Sequence, residues 1–218
     1  MKKTNMRNII ILAAMVLLFS CNQSDSQKEE VIKTDQQIDT SKKTVDTIAN
    51  KHNDSAQLML ISNGILTAFK EKNYEKLASY IHSQLPVRFS PFSTIDTASN
   101  KKFNGLDLIT FSREKKRIDW GSGFAEPEKL TVDQYVSKYV YDKDYLSVGT
   151  RSFNNIHRGG TAEYINVKEV YAGHDITEFF FPGTEKNGNM DWSAVRLVFD
   201  TKDNIRYLIG VVYDHWTP

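Results

Sequence analysis

Hydrophobic positions divide the chain into three stretches of different character. Ile9–Phe19 is an unbroken run of eleven apolar residues. Residues 22–55 are dominated by Ser, Asp, Lys, Gln, Thr and Asn, and the isolated Val31, Ile32, Ile38, Val45 and Ile48 have no sustained period. Such a stretch cannot bury enough surface to offset its ordering entropy and is expected to be a disordered tether. From residue 56 the pattern becomes periodic. Leu58, Ile61, Ile65, Leu66 and Phe69 recur at helical spacing, with Asp54 or Ser55 as the cap. Asn73 marks a second helix from Tyr74 to about Ile81, and Pro86 ends the helical region ahead of a short strand at Val87–Phe89. Leu106, Ile109 and Phe111 fit a helix or a strand equally well. Thr131 or Asp133 opens a third helix with Val132, Tyr135, Val136, Tyr139 and Val140 on its apolar side. Strands are predicted near Tyr145–Phe153, Tyr164–Tyr171 and Asp175–Phe181.

The most apolar part of this region is its end, Asp191–Pro218, in which two β-branched and aromatic runs flank Thr201-Lys202-Asp203-Asn204. That is a hairpin signal. If the four polar residues form a simple loop, Asp200 faces Ile205. Trp192, Ala194, Arg196 and Val198 then share a face with Tyr207, Ile209, Val211, Tyr213 and His215. Val195, Leu197 and Phe199 share the other face with Leu208, Gly210 and Val212. A bulge would flip one strand and scramble these sets.

Helices followed by a run of strands is an α+β order. The expected fold is N-terminal helices packed on a curved antiparallel sheet, and the expected organisation is a signal segment at 1–20, a tether at 21–55 and one folded domain at 56–218. A chain of 218 residues with 28 basic and 27 acidic side chains carries a net charge of +1, which gives no reason to expect a nucleic-acid partner. No metal-ligand spacing such as CxxC or HExxH occurs, and no cofactor is expected.

The single cysteine, Cys21, excludes an intramolecular disulfide. Its position carries more information. Lys2, Lys3 and Arg7 precede the apolar run, which is too short to span a bilayer, and the run ends in Leu18-Phe19-Ser20-Cys21. This resembles the bacterial lipobox. The resemblance implies cleavage between Ser20 and Cys21, a diacylglycerol and an N-acyl chain on Cys21, and anchorage in the cell envelope, with the outer membrane or cell surface favoured. Acyl chains worth about 0.8 kcal/mol per buried CH₂ would hold the protein there without a transmembrane helix.

The opening helix pair running into Asn73-Tyr74-Glu75-Lys76-Leu77, the short Val87–Phe89 strand and the closing pair of long strands resemble the NTF2-like cone fold, over roughly residues 56–217. A narrower resemblance, to a group of bacterial lipoproteins that supplies no activity to carry over, lies in Val87-Arg88-Phe89-Ser90-Pro91, Tyr139-Val140-Tyr141-Asp142 and Asp214-His215-Trp216-Thr217. The catalytic sets of cone-fold enzymes find no counterpart at these positions, and fold alone does not license function.

Candidate chemistry is sparse. Arg196 lies inside an apolar strand, where a guanidinium is costly unless paired. Either it meets an anionic ligand, or it pairs with an internal carboxylate such as Glu178 or Glu163. The hairpin register groups it with Trp192, Tyr213 and His215 as a pocket that would suit a small acidic or aromatic ligand. His82 caps the second helix or acts as a base. Arg88 points to a cavity or to solvent, and Trp120 and Glu126 line a pocket mouth or pack on the core. Asp214 cannot simply orient His215, because adjacent strand residues point to opposite faces. The leading expectation is a lipid-anchored, non-catalytic domain that binds a ligand or an envelope protein. Two alternatives stand beside it: a cone-fold hydrolase, isomerase or dehydratase with His215 or His82 as base, and an assembly lipoprotein.

Overall fold

The computed structural model describes residues 40–121, 129–157 and 164–217, with side chains from Asp54 onward. Cys21, Glu126 and Glu163, and with them the expected signal segment, lie outside the described residues. No helix among the described residues is long and apolar enough to cross a membrane.

The first helix, α1 (Thr40–Lys70), begins well inside the stretch expected to be a tether. The expectation is corrected from Thr40 onward. The helix is about 46 Å long at 1.5 Å per residue. The short helix α2 (Tyr74–Ala78) is capped by Asn73, whose side chain accepts from the Lys76 amide at 3.0 Å. The ambiguous 106–111 stretch is a helix, α3 (Gly105–Arg113), and Thr131 opens α4 (Val132–Tyr139). Both have reciprocal capping boxes, Asn104 with Asp107 and Thr131 with Gln134, which satisfy two otherwise orphaned amides each.

Six strands form one sheet. They are β1 (Val87–Ser90), β2 (Lys102–Phe103), β5 (Thr150–Phe153), β6 (Asp175–Phe181), β7 (Ser193–Lys202) and β8 (Ile205–His215), in the order β2-β1-β8-β7-β6-β5. Two further strands, β3 (Ile118–Asp119) and β4 (Lys129–Leu130), pair separately. The molecule is thus α+β, but its main sheet is mixed: β1 runs parallel to β8, and the other neighbours are antiparallel. The strand expected at 164–171 is instead a turn of helix, α5 (Val167–Val170).

The terminal hairpin corrects the predicted register twice. Its loop has two residues, not four. Lys202 pairs with Ile205, and Asp203 and Asn204 have φ of 51° and 60°, the left-handed values a tight primed turn requires. Phe199 then pairs with Leu208 but Val198 with Gly210, so Ile209 is an extra residue in β8. That bulge exchanges the faces beyond it. Arg196 lies opposite Val212, and Val195 lies opposite Tyr213.

Each sheet face has its own apolar cluster. On one, Phe89, Phe179, Leu197, Val211 and Tyr213 join Leu58, Ile65, Leu66 and Phe69 of α1 in the larger core. Ser62 of α1 also meets Thr177 of β6, hydroxyl to hydroxyl at 2.8 Å. On the other face, Ile176, Val198 and Val212 are covered by Ile95, Val167 and Tyr171 from the connecting segments. We call these the helix face and the outer face.

Candidate functional site

Among the described residues, the outer face carries a group of buried charges that the register brings together. Glu178 of β6 lies directly opposite Arg196 of β7, and Asp214 of β8 lies opposite Ala194, diagonal to Arg196. Diagonal neighbours sit about 7–8 Å apart, within reach of a long side chain. The guanidinium therefore holds both acids. Nε donates to Glu178 Oε2 at 2.8 Å and Nη2 donates to Asp214 Oδ2 at 2.8 Å. The side chains of Arg196 and Glu178 are 0 % exposed. Arg196 Nη1 and the nearby Trp192 Nε1 are buried without a hydrogen-bond partner among the described residues.

His157 completes the group. Asn154, with φ of 53°, turns the chain after β5, and its side-chain oxygen accepts from the Ile176 amide at 2.8 Å. The following residues then cross the outer face. The His157 amide donates to Glu178 Oε1 at 2.8 Å, its ring Nδ1 lies 2.8 Å from the same oxygen, and its carbonyl accepts from Arg196 Nη2 at 3.4 Å. The imidazole stacks on Phe180 at 5.3 Å between centroids, 16° from parallel, and its side chain is 39 % exposed. Two buried carboxylates thus face one buried guanidinium and one half-exposed imidazole.

A second polar cluster lies at the far end of the helix face. Tyr145 and Tyr213 donate to Asp142 at 2.6 and 2.9 Å, and Tyr145 also meets Ser193 Oγ at 2.6 Å. Burial first, and then the Asp142 charge, push both phenols far above the ordinary tyrosine range. They are neutral donors that tie the segment after α4 to β7 and β8, not acids.

The pocket expected from the simple register is not assembled. The bulge at Ile209 puts Arg196 on the outer face and Tyr213 on the helix face, where Tyr213 stacks on His215 at 5.1 Å. Trp192 lies on neither of those rings but beside Phe180, at 6.1 Å. His82 ends the α2 region: its Nδ1 accepts from the Gln84 amide at 3.1 Å and its ring meets Tyr207 edge-on at 4.9 Å. Arg88 is buried rather than turned to solvent, and donates to the carbonyls of Thr97 and Asn100 at 2.8 and 3.3 Å. Trp120 is core. It stacks on Tyr135 at 3.8 Å and donates to the Leu130 carbonyl at 3.0 Å. Of the two partners named for Arg196, Glu178 is in place.

His157 and the pairing role of Asp214 escaped the sequence reading. A charged residue inside each of three apolar strands was a usable signal for Glu178, Arg196 and Asp214. His157 sits in irregular chain with no period to mark it. Among the described residues no cluster of His, Cys, Asp and Glu is placed to hold a metal ion. No family model, curated protein or solved structure matches the chain.

Proposed function

We propose that this chain is a bacterial envelope lipoprotein, held to the membrane by acyl chains on Cys21, whose folded part is an NTF2-like binding domain. The observation that carries the reading is the basic start and eleven-residue apolar run that ends at the chain's only cysteine. Nothing about a folded domain calls for that arrangement, whereas export and lipidation do. The cone-fold part is supported by the elements that suggested it. Helices open the domain, the short β1 strand lies beside the last strand, and the long β7–β8 pair closes the chain.

The double pairing of Arg196 bears on the partner. A guanidinium already held by two carboxylates offers little to an acidic ligand, which favours an uncharged small molecule or an envelope protein. Mass spectrometry of the mature N-terminus tests the anchor: the expected species begins at Cys21 and carries a diacylglyceryl thioether and an N-acyl chain. An unmodified Cys21, or cleavage elsewhere, refutes it. Native mass spectrometry of the detergent-purified protein tests the binding role through co-purifying ligand or protein.

A further inference from the structure

An asparagine followed by glycine is the most open to attack by its own backbone, because glycine has no Cβ to hinder the approach of its amide nitrogen. The pair occurs three times in the chain, at Asn63-Gly64, Asn104-Gly105 and Asn187-Gly188. The fold treats the three differently. Asn63 lies inside α1 with its side-chain oxygen buried, and Gly64 packs so closely on Tyr80 that a Cβ would not fit. Asn104 is locked in the capping box of α3: its Oδ1 accepts from the Asp107 amide at 2.9 Å, its own amide donates to Asp107 Oδ2 at 3.1 Å, and Gly105 packs on Ala78. Asn187 has neither protection. It ends a single 3₁₀ turn, Glu185–Asn187, which has no side-chain cap, and every residue from Glu185 to Met190 is exposed. The attacking nitrogen of Gly188 is held by a hydrogen bond to the Glu185 carbonyl at 3.0 Å. Opening so short and exposed a turn uncovers little apolar surface and costs little.

We infer that Asn187 is a self-modification site, at which the chain converts its own side-chain amide to a carboxylate with water as the only co-reactant. The Gly188 nitrogen attacks Asn187 Cγ and gives up its proton. The bond from Cγ to Nδ2 breaks, and ammonia leaves with that proton. Water then opens the resulting five-membered succinimide. Opening at Cγ gives aspartate. Opening at the main-chain carbonyl gives isoaspartate, which carries the backbone through Cγ and so adds one carbon to it.

The consequence follows from Asp191, whose carboxylate ties the β6–β7 connection together. It accepts from the Thr184 amide at 2.7 Å, from the Thr184 hydroxyl at 3.1 Å and from Asn187 Nδ2 at 2.9 Å. These donors, Asn187 first, hold the Asp191 carboxyl below the usual carboxylate range. Conversion replaces the Asn187 donor with a second carboxylate set against the first, and like charges at that distance repel. Isoaspartate also takes the Asn187 carbonyl, which accepts from the Met190 amide at 3.0 Å, out of the backbone. The connection between β6 and β7 therefore loosens as the amide is lost.

The test incubates the full-length protein in detergent in warm neutral buffer and follows the three pairs by peptide mass spectrometry. Trypsin cuts after Lys186 and Arg196, and fragmentation of that peptide separates Asn187 from Asn189. Asn187 should convert first, to a mixture of aspartate and isoaspartate, while Asn63 and Asn104 remain amides over the same interval. In urea the three pairs should convert at similar rates, which assigns the native order to the fold. Asn63 or Asn104 keeping pace with Asn187 in the native protein, or Asn187 staying intact there while all three convert in urea, overturns the inference. The consequence is tested by an NMR titration of Asp191 in Asn187→Asp, where its midpoint should lie above the parent's. A midpoint unmoved by that substitution overturns the loosening of the connection. None of these outcomes touches the reading of Cys21.

Discussion

The two faces of the β6–β7–β8 sheet are held by different physics. The helix face is a packed aromatic and aliphatic core. Phe89 alone meets Phe69, Phe103, Trp120 and Tyr135 at ring separations of 5.5–6.4 Å. Its stabilisation is non-directional and scales with buried area. The outer face has a smaller apolar cluster beside a row of charges, Glu178–Arg196–Asp214, with no solvent to screen them. There each group depends on specific charged or hydrogen-bonding partners, because desolvating an ion costs more than a loose contact returns. The helix face should therefore tolerate substitutions that keep its volume, and the outer face should tolerate none that break its charge pairing.

The largest effect expected from this contrast is Arg196→Met. It removes the guanidinium that two buried carboxylates share and should cost about 3–5 kcal/mol in chemical denaturation. The triple variant Arg196→Met, Glu178→Leu, Asp214→Leu removes the whole group and should fall between neutral and about 4 kcal/mol more stable than the parent. A single variant as stable as the triple would erase the distinction between the faces.

Next comes Gly210→Ala, also on the outer face. A Cβ there would sit 2.9 Å from Tyr171 Oη and 3.1 Å from Val198 Cβ. The tyrosine tip can shift but the valine cannot, so a loss of about 1–3 kcal/mol is expected. By contrast Leu197→Met, buried on the helix face, should cost less than about 1.5 kcal/mol by the same measurement. A loss comparable to that of Arg196→Met would mean that the helix face is as exacting as the outer one.

The smallest effect lies at the surface, away from both faces. The hydrogen bond from Tyr141, then that from Ser147, and then Lys70 lower the Asp144 carboxyl from 3.8 to about 2. A depressed folded-state value stabilises the fold above the unfolded value. That contribution is complete above pH 3.8 and is lost as pH falls through about 2. An NMR titration of Asp144 should show this, and Tyr141→Phe should move its midpoint back towards 3.8. A midpoint unmoved by that substitution would assign the shift to other groups.

Much of the local structure was legible because it is written in neighbouring residues. The caps Asn73 and Thr131, the strand at Asp175–Phe181 and the existence of a terminal hairpin all follow from spacing within a few positions. The 164–171 stretch misled because Tyr164, Ile165, Val167, Val170 and Tyr171 have strand composition, yet Val167 and Tyr171 serve as a cover over Val198 and Val212. Tertiary packing overrides such weak propensity.

The register was the costlier miss. Parity along β7 and β8 is correct on either side of Ile209, but one extra residue exchanges every face beyond it. No local pattern marks the bulge, because both faces of this hairpin are apolar and alternation gives no contrast.

Sequence alone carried the charged start, the apolar run and its terminal cysteine, the helices and most strands, because each depends on contacts or spacings within one short segment. It also flagged Arg196 as a charge needing a partner. The outer-face site came only from the fold. Glu178, Arg196 and Asp214 stand eighteen residues apart along the chain, and His157 reaches them through an irregular turn. Which carboxylates meet the guanidinium depends on strand order and on a bulge at Ile209. Those are settled by burying two sheet faces at once, a constraint that no single segment contains.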